Sequence, residues 1–423
     1  MKLDEVRNPD AASYGRPLDG IRVLAAEQMQ ALPFGTQLLA RLGADVVKVE
    51  HPTDGESGRG AQPAMIDASG RSAGATFLRN NLNKRSVGLD LKNPEGRDLF
   101  LALCAKGSFD VVAENFKAGT MDRLGLGYAD VAKVAPRIIY LSISGFGNSP
   151  TPYDGWPAYA PVVEAMSGIY EYKRPPGHPP VPAPAGALGD IGTSLFGVIG
   201  VLAALRHRDL TGQGGMVEGQ WVDVAMLDAM VAMTDLVTNF WSMGVRDQRA
   251  NLIMDGFEAS DGWFILQVGR EHQFKRLAEL VGHPEWVDDE RFATRAGWVE
   301  HLDDVIRPAI DKWAGEMTKL EVCAALSDAG LAAGPCFSAP EVIADKHVQS
   351  HRMLVELERS DGVVEPVLIP GNPVKMSKVA DGPDTPPPCV GEHTDEVLRE
   401  DLGLDDAELA RLRGLGVIGE VIP

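Results

Sequence analysis

The stretch that decides the fold opens with Ile21-Arg22-Val23-Leu24-Ala25-Ala26 and closes with Asp45-Val46-Val47-Lys48-Val49-Glu50. The first run is typical of a buried strand, the second is the next predicted strand, and the segment 33–42 between them has a helical pattern. Proline suits the first position of this helix and Gly43 suits its end. A strand, a helix and a second strand in this order form one parallel unit of an α/β sheet.

The same alternation continues outward from this unit. Asn93 is expected to cap a helix that runs to Lys106 and is stopped by Gly107. Strands that alternate with helices indicate a mostly parallel, doubly wound, Rossmann-like α/β sheet with helices on both faces. The further predicted strands are 86–91, 110–115, 138–144 and 221–225, and the further predicted helices are 162–167, 191–207 and 226–241.

The pattern changes in the second half of the chain. Between about Ile253 and Ile343, a short β segment at 263–268 is followed by several amphipathic helices. This arrangement predicts a second, smaller α+β domain. The predicted boundaries are 1–215 for the large domain, completed by 350–423, and 216–349 for a linker and the small domain.

Length and composition narrow the function. A chain of 423 residues favours two domains, and a formal net charge of −20 argues against binding nucleic acid or anionic membranes. The apolar run 191–205 is too short to span a membrane and contains Thr193 and Ser194. The four cysteines are scattered and show no metal-ligand spacing, which is typical of reduced thiols in a cytoplasmic protein and predicts no metal site.

The common cofactor fingerprints are missing. A doubly wound sheet suggests a dinucleotide, but the chain after the first strand reads Ala26-Glu27-Gln28-Met29-Gln30-Ala31-Leu32-Pro33, without G-x-G-x-x-G. The sequence also lacks a Walker A loop, a G-x-S-x-G elbow and an H-E-x-x-H motif. Nicotinamide and flavin chemistry, P-loop chemistry and zinc proteolysis are therefore disfavoured.

One segment differs from the acidic background. Between Arg79 and Arg123 eight Lys and Arg stand against six Asp and Glu. Several of the basic residues, including Lys84, Lys92 and Lys117, lie beside predicted strand ends, where open α/β sheets bind ligands. They are either contacts for a polyanion such as a nucleotide phosphate or solvated surface side chains.

Asp190 stands between the glycine-containing segment 184–189 and the apolar run that follows it. An Asp just before an apolar helix is typical of an N-cap, and a carboxylate there can also act as a nucleophile. The helix dipole would lower the pKa of such a carboxylate and keep it ionised. Flanking glycines would let a bulky electrophile approach. No histidine is paired with a recognisable nucleophile.

A set of short segments occurs in a fixed order along nearly the whole chain. In chain order they are Leu18–Leu24, Leu42–Glu50, Asn83–Lys92, Glu114–Gly119, Gly189–Asp190, Thr211–Gly214, Val222–Val224, Gly371–Ser377 and Gly391–Thr394. Together they resemble the class III CoA-transferases, the CaiB/BaiF family that includes formyl-CoA:oxalate and carnitine CoA-transferases.

The resemblance implies an enzyme that moves CoA from an acyl-CoA donor to a small carboxylic acid. In that family the aspartate that matches Asp190 is the nucleophile, and an acyl-aspartyl anhydride and an aspartyl-CoA thioester form in turn. No tightly bound cofactor is implied, since CoA and acyl-CoA are substrates. The family positions that contact CoA fall on Gln30, Ala31, His51, Leu89, Asp90, Leu91, Lys92, Asn115, Phe116, Lys117, Arg123 and Tyr159.

Three departures from the family pattern qualify this expectation. His51 stands where the family often has Arg. The segment 254–258 replaces a glycine run of the formyl-CoA/oxalate enzymes, which argues against oxalate as acceptor. The residues 215–218 are additional to the family pattern.

Two alternatives stay open beside the transferase. One is an α-methylacyl-CoA racemase of the same fold, which takes a histidine from the position of Tyr159; a phenol is a poor base at neutral pH. The other is a CoA-binding protein that has lost catalysis, against which an intact Asp190 argues. The family also forms interlocked homodimers, and long linkers near Gly215 and Ile343 are compatible with that arrangement.

Overall fold

The computed structural model describes residues 1–171, 174, 177–182, 187–211, 218–245 and 251–420. Residues 183–186 of the segment before Asp190, 212–215 of the predicted turn and 215–217 of the additional segment lie outside the described residues. Contacts divide the chain into two compact units. They are Met1–Ser242 with Lys346–Pro423, and Met243–Asp345.

In the part of the chain that the structure describes, the strands form one large sheet and three small ones. In chain order they are β1 Arg22–Ala26, β2 Asp45–Glu50, β3 Ala64–Ile66, β4 Ser72–Gly74, β5 Lys84–Gly88, β6 Val111–Glu114, β7 Ile139–Ser144, β8 Trp221–Ala225, β9 Ile253–Ala259, β10 Gly262–Val268, β11 Ala332–Pro335, β12 Leu354–Leu357 and β13 Val367–Pro370.

The α-helices lie between and after these strands. They are α1 Ala31–Arg41, α2 Ala75–Asn80, α3 Pro94–Lys106, α4 Thr120–Arg123, α5 Tyr128–Val134, α6 Ala160–Met166, α7 Leu188–Thr211, α8 Met226–Ala232, α9 Glu271–Leu280, α10 Arg295–Glu300, α11 Arg307–Ala314, α12 Lys319–Asp328, α13 Ala339–Ala344, α14 Lys346–Ser350, α15 Thr394–Leu402 and α16 Asp406–Gly414.

The large sheet has the order β5-β2-β1-β6-β7-β8, and every neighbouring pair is parallel. The predicted α/β class with a large parallel sheet is therefore confirmed. The chain builds outward from β1 on one side and continues from β6 on the other, so the strand order reverses between β1 and β6. Loops that leave the carboxyl ends of such a pair diverge and open a crevice, where ligands bind in open α/β sheets.

Side chains that alternate along the strands pack into two separate hydrophobic cores, one on each face of the large sheet. Leu24, Val47 and Val112 pack on one face against side chains of α3, α5, α15 and α16. Val23 and Val111 point to the other face, where α1, α6, α7 and α8 cover the sheet. Burial on both faces explains why apolar residues predominate in the central strands β1, β6 and β7.

Several predicted element ends move in the structure. Helix α1 begins at Ala31, two residues before Pro33. Strand β5 spans 84–88 and not 86–91, because the next residues pair with the C-terminal segment: Leu89 forms a bridge with Ile418, and the N–H of Asp90 donates to Val417 O at 2.9 Å. The predicted cap at Asn93 is confirmed, since its side chain accepts from Glu95 N–H.

Helix α7 is longer than the predicted 191–207 and reaches from Leu188 to Thr211. By length and composition alone it could cross a membrane, as some core helices could. Its residues Val201, Ala204 and Leu205 belong to the core of the first unit. The predicted continuous helix 226–241 is wrong. Helix α8 ends at Ala232, and a π-helical segment, Leu236–Trp241, follows.

The second compact unit has its own core. Strands β11, β10 and β9 form an antiparallel sheet, and the predicted β segment 263–268 corresponds to β10. Helices α9 to α12 supply its apolar partners, including Phe274, Trp298 and Ile310. The segment 254–258 lies within β9 of this unit.

Candidate active site

A cleft of about 270 Å³ opens at the carboxyl end of the large sheet, at the β1/β6 reversal. Residues that follow β1, β6 and β7 form its walls, and the half-buried Asp190 of α7 lines it as well. Of the predicted site residues, six line this one cleft: Ala31, Asn115, Phe116, Lys117, Tyr159 and Asp190.

Asn115 connects the loop after β6 to the loop after β1 by hydrogen bonds. Its Oδ1 accepts from the backbone N–H of Gln28 at 2.9 Å, and its Nδ2 donates to the backbone carbonyl of Gln28, also at 2.9 Å. The amide thereby pairs with both main-chain polar groups of Gln28 across the crevice. This pairing fixes the width of the cleft between the β1 and β6 loops.

The loop after β7 brings aromatic side chains over the cleft. The rings of Phe146 and Tyr153 have centroids 5.1 Å apart, and those of Tyr153 and Trp156 are 5.3 Å apart. Lys117 Nζ donates to the carbonyl of Gly155 in the same loop. Tyr159 lines the cleft with its side chain largely exposed. The loop is therefore tied to the β6 side of the site and presents π-faces to a ligand.

Asp190 occupies the first turn of α7, not its cap. The helix begins at Leu188, and the N–H of Ile191 donates to Ala187 O at 3.0 Å, so helical bonding starts before Asp190. The expectation of an N-cap is therefore wrong. Within the described part of the chain, no hydrogen bond to the Asp190 carboxylate is formed, and its oxygens stay available to a ligand in the cleft.

The acidity of Asp190 also differs from the expectation. Burial, with a smaller effect from the charge of Glu164, raises the pKa of Asp190 from 3.8 to about 6. The helix dipole was expected to lower this pKa, but removal of the carboxylate from water outweighs it. At neutral pH the group is still mostly ionised. It is a more basic carboxylate than an exposed aspartate.

Lys84 is buried as part of an internal charge cluster. Its Nζ lies 2.6 Å from Glu27 Oε1, and both side chains are fully buried. Lys48 adds a second cation 3.6 Å from Glu27 and 3.7 Å from Glu56. Glu56 in turn accepts the N–H of Met29, a residue with φ of 60° that lines the cleft. Through the hydrogen bond between Glu56 and Met29, the cluster holds the loop after β1 in place.

These pairs correct the prediction of ligand contacts for Lys84 and Arg85, the first two residues of β5, which bind carboxylates of the protein itself. Lys84 is neither a phosphate contact nor a surface side chain. Arg85 binds Asp45, Glu396 and Glu400 at 2.6 to 3.0 Å. Both residues open β5 at its amino end, which is the wrong edge for ligands of a parallel sheet.

The other predicted contacts do not line the cleft. Gln30 precedes α1, and His51, with its side chain exposed, follows β2. Lys92 and Arg123 are exposed, and Arg123 donates to Thr120 Oγ1 at 2.9 Å. Leu89, Asp90 and Leu91 follow β5; the Leu89 side chain lies in the core, whereas those of Asp90 and Leu91 are partly exposed.

A family model, described as CoA-transferase family III, matches residues 18–394. The chain belongs to this family. CoA-transferases use CoA thioesters as substrates, and the chain is therefore an enzyme of the CoA-transferase class.

Curated relatives carry the same activity in their names. The succinyl-CoA–L-malate CoA-transferase beta subunit of Chloroflexus aurantiacus is 33% identical over 420 residues, which cover 97% of this chain and 100% of that protein. The succinate–glutarate CoA-transferase of Agrobacterium fabrum is 36% identical and covers 91% of this chain and 95% of its own length. A crystal structure of a CaiB/BaiF family protein from Brucella suis superposes with a TM-score of 0.77 at 32% identity, covering 91% of this chain and 99% of that one.

Some residues of the site were not predicted from the sequence. Met29, Trp156 and Met226 line the cleft beside Asp190 and read as ordinary core or loop residues in the sequence. Glu164 was also missed. It is the single charged residue of the otherwise apolar helix 160–166, and an isolated carboxylate on an apolar helix was a usable indication.

Proposed function

We propose that the protein transfers CoA between an acyl-CoA donor and a carboxylic acid, with Asp190 as the nucleophile. The observation that carries the proposal is the position of Asp190, whose carboxylate lies on the wall of the cleft at the β1/β6 reversal without a hydrogen-bond partner among the described residues. Its raised pKa makes it a better nucleophile than a solvated aspartate, while it stays mostly ionised at neutral pH.

The proposed exchange has four balanced steps. The Asp190 carboxylate attacks the donor thioester carbonyl and expels CoA thiolate, which leaves a mixed anhydride. The thiolate attacks the aspartyl carbonyl of this anhydride, expels the donor as its carboxylate and leaves an aspartyl-CoA thioester. The acceptor carboxylate attacks that thioester and expels thiolate, and the thiolate then attacks the acceptor acyl carbonyl. Asp190 is released, and no net proton or electron is consumed.

CoA is proposed to lie along the carboxyl edge of the large sheet. Ala31, Asn115, Phe116 and Lys117 line the cleft near Asp190 and would face the thioester end. His51, the segment 89–92 and Arg123 follow other strands of the same sheet and are proposed for the nucleotide end. Lys92 and Arg123 are exposed cations, and such groups bind phosphate well.

The names of the relatives support a substrate class. They include enzymes of succinyl-CoA with malate, glutarate or mesaconate. We propose succinyl-CoA as donor and a small dicarboxylic or hydroxy acid as acceptor. Lys117 is the cationic side chain among the described residues that line the cleft.

The racemase alternative finds no support in the cleft. Its acid–base pair would need a second proton-transferring group across from Asp190, and Tyr159 occupies the histidine position. No histidine lines the cleft among the residues that the structure describes. Deuterium incorporation at the α-carbon of a branched acyl-CoA tests this alternative directly.

A homodimer, interlocked as in the family, is part of the proposal. Leu195, Phe196 and Ile199 of α7 expose between 38% and 62% of their surface in the single chain, and Val237 and Trp241 are exposed as well. Apolar side chains of this size on a surface indicate a protein interface. Light scattering coupled to gel filtration should give twice the mass of one chain; the monomer mass would refute the dimer.

Mass spectrometry of the intact protein tests the covalent step. The protein is incubated with succinyl-CoA and a panel of other acyl-CoAs, and we expect a CoA-sized adduct that maps to Asp190. Asp190→Ala should form no adduct and lose transfer by at least about a thousandfold, since a covalent nucleophile is removed. Failure of every donor to label the wild type, or normal exchange by Asp190→Ala, would exclude the mechanism.

A further inference from the structure

Glu164 is a buried carboxylate on a helix that packs against the helix of Asp190. It is only 2% exposed and lies on α6, which packs against α7. Its Oε1 accepts the N–H of Gly189 at 2.9 Å, and its Oε2 accepts the hydroxyl of Tyr170. Both oxygens thus have a partner, and one of these partners is the residue next to Asp190.

A carboxylate in this place has a cost that a neutral side chain would not have. Burying a charge away from water is unfavourable unless it is paired, and no cation lies in salt-bridge contact with Glu164 among the described residues. A glutamine would also accept the Gly189 N–H. Anchoring of α7 alone therefore does not explain why the side chain is ionisable.

We propose that Glu164 is a positioning residue for the transfer reaction: it anchors the first turn of α7 through the Gly189 amide and adds a negative charge close to the turn that carries Asp190. The proposal rests on the proposed role of Asp190 as nucleophile. Glu164 does not line the cleft and does not touch the substrate.

The surrounding charges single out Glu164. The other charged side chains on elements packed against α7 are Arg41 on α1, Asp223 on β8 and Asp228 on α8, and Lys117 and Asp154 line the same cleft. Burial comes first among the causes that raise the pKa of Asp190, and among the described residues the charge of Glu164 is the one electrostatic cause. Glu164 therefore increases the basicity, and with it the nucleophilicity, of Asp190.

The anchor and the charge can be separated by two substitutions. Glu164→Gln keeps an oxygen for the Gly189 N–H but removes the charge, whereas Glu164→Ala removes both. Asp228→Asn is the matched control, because it removes a like charge from an exposed position on another helix that packs against α7. The measurement is the rate of adduct formation with succinyl-CoA between pH 4.5 and 8, together with circular dichroism of each variant.

We expect Glu164→Gln to shift the acidic limb of the pH–rate profile of adduct formation to lower pH by about half a unit or more, because the negative charge near Asp190 is lost. Glu164→Ala should lower the rate by about tenfold or more at every pH, as misplacement of a reacting group does. Asp228→Asn should leave the limb in place.

An unchanged limb in a folded Glu164→Gln variant would overturn the inference, and Glu164→Gln keeps the test valid even if Glu164→Ala does not fold. If the wild type forms no adduct, the role of Asp190 itself fails. If the wild type forms it and both Glu164 variants match its profile, only the role of Glu164 fails.

Discussion

Gly189 donates its backbone N–H to Oε1 of Glu164 at 2.9 Å, so the residue before the nucleophile is bound to the neighbouring helix. The same residue leaves little room for a side chain against α6. A Cβ added to Gly189 would lie 2.9 Å from Val163 Cγ2 and 3.2 Å from Ala160 Cα. The absence of a side chain at 189 therefore sets the distance from α6 at which Asp190 is held.

Gly189→Ala should displace the first turn of α7 and lower kcat by about tenfold or more, since small misplacements of a reacting group are costly. Gly192→Ala is the control. Its Cβ would meet only the flexible end of Met233, which can move. Steady-state kinetics and thermal unfolding of both variants check this expectation; equal kcat for Gly189→Ala and the wild type would contradict it.

Asp190→Asn should stabilise the protein at neutral pH while it abolishes transfer. The folded-state pKa is raised from 3.8 to about 6, so the folded protein disfavours the charged form and loses free energy of unfolding as pH rises through this window. The variant should gain about 1–3 kcal/mol above pH 6 and nothing below pH 4. Urea unfolding at pH 7.5 and pH 4 measures the difference, and no gain at pH 7.5 would show that Asp190 is not desolvated.

Asn115→Leu should widen the cleft, because Gln28 loses the partners of its N–H and its carbonyl. Two lost hydrogen bonds across the crevice predict an increase in KM for acyl-CoA of about tenfold. Asn115→Asp offers an intermediate case, since it can accept from Gln28 N–H but cannot donate to the carbonyl. A KM for Asn115→Leu equal to that of the wild type would show that the pairing does not shape the site.

Lys84→Met should cost about 3–5 kcal/mol of the free energy of unfolding, because it leaves Glu27 buried with a weaker neutralising charge. Lys133→Met breaks an exposed pair with Asp130 and should cost less than about 1 kcal/mol. Glu27→Gln combined with Lys84→Met should recover part of the loss. Urea unfolding of the set checks the order; equal losses for Lys84→Met and Lys133→Met would contradict the burial argument.

The sheet was predictable because its strands alternate with helical patterns and its central strands are rich in buried apolar residues. The strand predicted at 45–50 matches β2 residue for residue. The end of β5 was not predictable, because the Leu89–Ile418 bridge joins segments that are more than three hundred residues apart. Local pattern carries no information about such a partner.

The candidate site was predictable in part for the same reason. The Gly189–Asp190 motif pointed to the carboxylate, but its pKa depends on burial and on Glu164, which comes from another helix. The burial of Lys84 also depends on a residue distant in sequence, Glu27, with which it forms a buried ion pair. A basic residue next to a strand does not reveal which end of the strand it occupies or what neutralises it.

The internal charge cluster has a consequence for experiments at different ionic strengths. The side chains of Glu27, Lys48 and Lys84 are fully buried and that of Glu56 is 2% exposed, so added salt screens their charges poorly. The loop after β1 should therefore keep its shape from dilute buffer to molar salt. A salt titration of CoA affinity would then count the solvent-facing cations that meet its phosphates, free of any contribution from the scaffold.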